Sequence, residues 1–163
     1  ASRKDKYVAN ALYCLGTLFF TQSAYEKAAE YFEKLFEGNG SIEAGIGLAV
    51  SKYKDGKLES ALGVLSIMTV NAKKSSERYM YLLMGAEMSL FADNFERAIE
   101  YCKQAHDEKE GAHIEQVLLN TIGGKTADNG MPKLHRLKQK ETAEYEAGGL
   151  LRTCIQGIGF TEK

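Results

Sequence analysis

One pattern occurs three times along this chain, and it restricts the fold more than any other feature. Tyr25-Glu26-Lys27-Ala28, Leu58-Glu59-Ser60-Ala61 and Phe95-Glu96-Arg97-Ala98 each read as a bulky apolar residue, Glu, any residue, then Ala. Each follows a short turn: Gln22-Ser23-Ala24, Asp55-Gly56-Lys57 or Ala92-Asp93-Asn94. Four residues after each Ala stands Phe32, Leu65 or Cys102, and three further on Leu35, Met68 or Ala105. Spacings of three and four place these side chains on one face of a helix. Ala28 and Ala61 are 33 residues apart, Ala61 and Ala98 are 37. The extra length falls in Ala72-Lys73-Lys74-Ser75-Ser76-Glu77, a polar stretch that reads as a lengthened surface loop.

A second helical pattern precedes each turn. Its positions are Leu12, Leu15, Gly16 and Phe19, then Gly45, Leu48, Ala49 and Lys52, then Leu82, Gly85, Ala86 and Ser89. A small residue (Gly16, Ala49 or Ala86) always stands twelve before the shared Ala. Small residues there let two antiparallel helices approach closely while side chains of the next turn fill the gap. Each unit is therefore helix, tight turn, helix. A lone hairpin of this kind cannot bury both faces, so the units must stack. Ser41 is placed to cap a helix after Gly38-Asn39-Gly40, and Asn39-Gly40-Ser41, formally a glycosylation sequon, reads as a plain turn. Glu30 and Lys34 form a favourably ordered pair on a solvated face.

These units resemble the tetratricopeptide repeat, a helical hairpin with a Trp-x-x-Leu-Gly-x-x-Tyr … Ala-x-x-x-Phe-x-x-Ala pattern. The resemblance covers about residues 9 to 112, and the first unit carries it best, with Leu15, Gly16, Phe19, Ala28 and Phe32. It implies an all-α fold: a right-handed α-solenoid of stacked antiparallel hairpins over residues 1–163, with repeats at about 9–41, 42–75 and 79–112. Residues 113–163 are expected to form a degenerate fourth hairpin or capping helices, with apolar positions at Ile114, Val117, Leu118 and Ile122 and again from Leu134 to Ile158. The resemblance also implies a concave groove lined by the first helix of each unit. Its positions here are Asn10, Tyr13, Thr17 and Phe20, then Glu43, Ile46, Val50 and Tyr53, then Met80, Leu83, Glu87 and Leu90. One subclass of the family grips the C-terminal carboxylate of chaperones with Lys, Asn and Arg. The corresponding sites hold Tyr13, Thr17, Gly47, Met80 and Met84, with no cation for a carboxylate.

Composition narrows the partner class. The 21 basic and 22 acidic residues leave a net charge of −1, so nothing draws the whole chain to nucleic acid or anionic lipid. A single proline among 163 residues favours long helices. No apolar run could span a membrane and no stretch reads as a signal peptide, and a chain that starts at Ala1 is expected to be a piece of a longer protein. Cys14, Cys102 and Cys154 are odd in number and widely spaced, which reads as buried thiols in a reducing, cytoplasmic compartment.

Candidate chemistry is sparse. Gly123-Gly124-Lys125-Thr126 ends like a phosphate-binding loop, but Leu119 stands where the first glycine belongs. His106, Asp107, Glu108, Glu110 and His113 have no metal-ligand spacing, and no cysteine or histidine has a nucleophile-plus-base arrangement. Lys125, Lys133, Arg136, Lys138 and Lys140 lack interleaved aromatics for base stacking and read as a solvated face or a contact for an acidic protein. The expectation is a non-enzymatic scaffold or adaptor that needs no cofactor or metal and holds an apolar helical or extended segment of a partner. The alternatives are a self-associating repeat domain within a larger assembly, possible as a homodimer, and a small secretion-type chaperone.

Overall fold

The computed structural model describes residues 3–108, Leu118, Ile122 and 149–159. Seven helices are described with their ends: α1 (Arg3–Thr21), α2 (Tyr25–Asn39), α3 (Ile42–Lys54), α4 (Leu58–Asn71), α5 (Ser75–Phe91), α6 (Phe95–Glu108) and α7 (Gly149–Gly159). No strand occurs among the described residues. The second helix of each hairpin starts on the bulky residue of the repeated pattern: Tyr25, Leu58 or Phe95.

The turns explain that agreement. Ser23, Gly56 and Asp93 occupy equivalent places and all adopt positive φ, at 60°, 80° and 59°. The next amide in each turn donates back five residues: Ala24 to the Phe19 carbonyl, Lys57 to Lys52 and Asn94 to Ser89, each at 2.9 Å. This left-handed closure satisfies the last carbonyls of one helix and aims the chain into the next. Between hairpins, Gly40 (φ 60°) ends α2, and the Ser41 hydroxyl accepts from the Ala44 amide at 3.2 Å to start α3.

The chain divides into two compact units, residues 1–68 with 153–163 and residues 69–152. In the first unit, α1 packs on α2 and α2 on α3. Phe32, fully buried, is the wedge. A Cβ on Gly16 of α1 would sit 2.7 Å from its ring, and one on Gly47 of α3 would sit 2.8 Å away. These glycines give up side chains so that one ring can fill both gaps. Phe36 lies 3.1 Å from the corresponding point on Gly45, so α2 runs antiparallel to α3, with Phe32 nearer the end of α3 than Phe36. Met68 closes on Gly45 from α4, and Lys52 Nζ donates to Ser60 Oγ at 2.7 Å, which makes α3 and α4 the second hairpin. Phe19 and Tyr31 stack on the outside of the first hairpin, with Lys27 over Phe19 and Lys34 over Tyr31.

The second unit holds the α5–α6 hairpin. Tyr101 fills the space over Gly85; both stand one place before Cys102 and Ala86, the repeat equivalents of Phe32 and Gly16. Ala98, Cys102 and Ala105 have no exposed surface, like Ala28, Phe32, Ala61 and Leu65, none of which exceeds 1%. Residues 72–77 do not form the lengthened loop read from their polarity. The helix begins at Ser75, because the end of α6 holds it: Arg78 Nε donates to Glu108 Oε2 at 2.9 Å, the Ser75 hydroxyl donates to the Glu108 carbonyl, and Arg78 also reaches the Ala72 carbonyl. The extra residues thus extend α5 by a turn. Leu118 and Ile122 are helical and fully buried against Tyr79, Leu82, Leu83 and Ala86. The other expectations for residues 109–148, including the glycine-rich loop and the basic stretch from Lys125 to Lys140, lie outside the described residues.

Candidate interaction surface

The twelve positions expected to face a groove divide by burial. In the first unit Asn10 and Glu43 are exposed, Tyr13, Ile46 and Tyr53 are half-buried, and Thr17, Phe20 and Val50 are buried. Tyr13 sets the edge of its ring on Phe32, with centroids 5.8 Å apart and planes at 68°. Its hydroxyl pKa is raised above the usual tyrosine value by burial first, and then by the nearby Glu43 carboxylate and Cys14. Tyr13 on α1 and Glu43 on α3 are thus electrostatic neighbours, the ring half-buried and the carboxylate exposed.

In the second unit Met80 is half-buried, whereas Leu83, Glu87 and Leu90 are buried. Every residue from Tyr81 to Leu90 is buried, so α5 has no solvent face over that length. Glu87 has no exposed surface, and its carboxylate accepts the Leu151 amide at 3.2 and 3.4 Å. Leu151 lies in the first turn of α7, where amides lack helical partners and the macrodipole favours an anion. Leu150, beside it, packs on the cluster formed by Tyr79, Leu82, Leu83 and Leu90. The acid read as part of an open groove is thus engaged by the chain's own last helix. The sequence carries a signal for this: Glu87 is the only charge between Arg78 and Asp93, and a lone carboxylate in an apolar run needs a buried partner.

The chaperone-type carboxylate sites fare differently again. Thr17 and Met84 are buried and Phe32 fills the space at Gly47, so three of the five positions offer nothing to a ligand. The cysteines correct the expectation of three buried thiols. Cys102 is buried, Cys154 is partly exposed, and Cys14 is exposed because it lies on a side of α1 that no described helix covers. No group of metal-ligating side chains occurs among the described residues.

That open side of α1 is the feature the sequence reading missed. Tyr7, Val8, Leu15 and Leu18 are 61%, 50%, 36% and 42% exposed. With Ala11 and Cys14 they form one stripe at helical spacing. A signal was present: α1 is apolar on more than one face, beyond what a hairpin partner covers. No described helix is long and apolar enough to cross a membrane. A scan against protein-family models and a search of curated proteins return no match to this chain.

Proposed function

We propose that this chain is a non-enzymatic protein-interaction module, a right-handed solenoid of tetratricopeptide-like hairpins whose first helices hold an apolar helical segment of a partner. One observation carries the reading. The α5 positions assigned to the groove already hold such a segment: the Leu150–Leu151 turn packs there and gives its amide to Glu87. Groove positions built from Leu and a buried acid suit an apolar helix that arrives N-terminus first. In the first unit the accessible counterparts are Asn10, Tyr13, Glu43, Ile46 and Tyr53. There a partner segment meets aromatic anchors of the kind that dominate interface energy.

The burial of α5 also favours a second reading, in which the first turn of α7 is a permanent part of the second unit and the chain is a structural repeat within a larger assembly. The experiment combines point variants with a truncation. The partner is identified by what co-purifies with the full-length parent, and its affinity is then measured against purified chains. Tyr13→Glu and Tyr53→Glu should each weaken binding about tenfold or more with circular dichroism unchanged. Lys27→Ala and Lys34→Ala, exposed on α2, should do little. Removal of residues 149–163 should raise affinity if α7 competes with the partner. If it melts the second unit and leaves affinity unchanged, the structural reading holds.

A further inference from the structure

The two hairpins of the first unit provide an internal comparison for the open side of α1. The repeat register, a shift of 33 from Ala28 to Ala61, matches Ala11, Cys14, Leu15 and Leu18 of α1 with Ala44, Gly47, Leu48 and Ser51 of α3. All four α3 residues are buried, with Leu48 at 2% exposure against 36% for Leu15. The helix on this side of α3 is α2, which lays Phe32 against Gly47 and Phe36 against the neighbouring Gly45. The same side of α1 has kept its apolar side chains and has no α2 equivalent among the described residues.

The differences between the two faces define what fits α1. Gly47 becomes Cys14 and Gly45 becomes Leu12, so the side chains that replace Phe32 and Phe36 on the occupant must be smaller. Ser51 becomes Leu18, so the near end is more apolar. An antiparallel helix would bring its C-terminal end over Arg3 and Lys4, both exposed at the start of α1. Acidic side chains there would be complementary, and the cations would also suit the negative end of the helix dipole. A second copy of α1 does not supply these acids, since its own acid is Asp5, in the first turn.

We propose that the Tyr7–Leu18 face of α1 docks an amphipathic helix from a partner protein, laid antiparallel as α2 lies on α3. That helix carries aliphatic rather than aromatic residues over Leu12 and Cys14 and an acidic C-terminal end. The probe is a synthetic 24–40 peptide of this chain with Phe32→Leu and Phe36→Leu, helix-locked by a lactam between Glu30 and Lys34, which face solvent in α2. A lock is needed because a free helix of this length is marginal in water.

Fluorescence anisotropy of the labelled peptide against the 163-residue chain should saturate. The double variant Leu15→Glu, Leu18→Glu should lose affinity about tenfold or more while its circular dichroism stays unchanged, since both residues are exposed. Lys103→Glu, exposed on α6, should not change it. The parent peptide with both phenylalanines should bind several-fold more weakly, and saturation with the trimmed peptide should slow thiol labelling of Cys14. No saturation, binding that survives the double variant, or no loss of affinity on restoring Phe32 and Phe36 would each overturn the proposal. So would a dimer in sedimentation equilibrium that Leu18→Glu dissolves, because the occupant would then be a second copy.

Discussion

Helices α1 and α5 occupy the same place in their repeats, yet they end in opposite environments. Over Tyr81–Leu90 α5 is enclosed all round, while α1 buries Gly16, Thr17 and Phe20 and leaves Tyr7, Val8, Leu15 and Leu18 in water. Both meet their hairpin partner through a glycine and a ring, Gly16 with Phe32 and Gly85 with Tyr101, although Gly85 and Tyr101 each stand one place before the repeat equivalents of Gly16 and Phe32, which are Ala86 and Cys102. The repeat pattern therefore specifies a hairpin and its internal seam. It does not specify what lies on the other faces of the first helix, which depends on neighbours that the pattern does not encode.

The largest test of that contrast pairs residues in matched register. Leu48→Ala should cost about 2–5 kcal/mol in denaturant unfolding, because Leu48 is 2% exposed. Leu15→Ala should stay within about 0.5 kcal/mol. Equal costs would mean that the open face of α1 is not open. Next come the seam alanines. Ala61→Leu and Ala98→Leu should each lose about 1–3 kcal/mol by overpacking, seen as lowered melting temperatures, with Lys27→Ala as the exposed control.

Glu87 sharpens the contrast from the enclosed side. Glu87→Ala leaves the Leu151 amide buried without its acceptor and should cost about 1–3 kcal/mol, with faster hydrogen exchange at Leu151. Glu87→Gln keeps an acceptor oxygen and should lose less.

Two smaller effects concern the turn and the half-open site of the first unit. Ser23→Gly relieves a positive φ that Gly56 already accommodates in the next hairpin, and it should stabilise by about 0.5 kcal/mol. For Tyr13 the folded-state pKa is raised, so its contribution to stability is complete below the ordinary tyrosine range near 10 and is lost as pH rises through the higher value. Removing the charge by Glu43→Gln should lower the Tyr13 midpoint in a phenolate absorbance titration.

Much of the fold was legible because it is local. Tyr25, Leu58 and Phe95 were read as helix starts from turn residues beside them, and Gly16 with Ala28 from a fixed spacing along adjacent helices. Ser41 was legible as a cap for the same reason. The start of α5 was misread because what holds it, Glu108, is a neighbour 33 residues away in sequence. The candidate site was legible only as a set of positions. Which of them are covered depends on contacts such as Glu87 with Leu151, 64 residues apart. Cys14 was misplaced because burial was inferred from residue type, while the open side of α1 follows from what is not packed against it.

That 64-residue separation also has a consequence for the order of assembly. The α5–α6 seam joins residues close in sequence, such as Gly85 and Tyr101, so loop closure is cheap and the hairpin can form early. The Glu87 carboxylate and the Leu83 and Leu90 side chains wait for a turn near the end of the chain. During synthesis at about 5–20 residues per second, that acid spends several seconds without its buried partner. Refolding should accordingly show an early phase in which the helical signal appears and a later one in which the Leu151 amide becomes protected. The later phase alone should slow in Glu87→Ala.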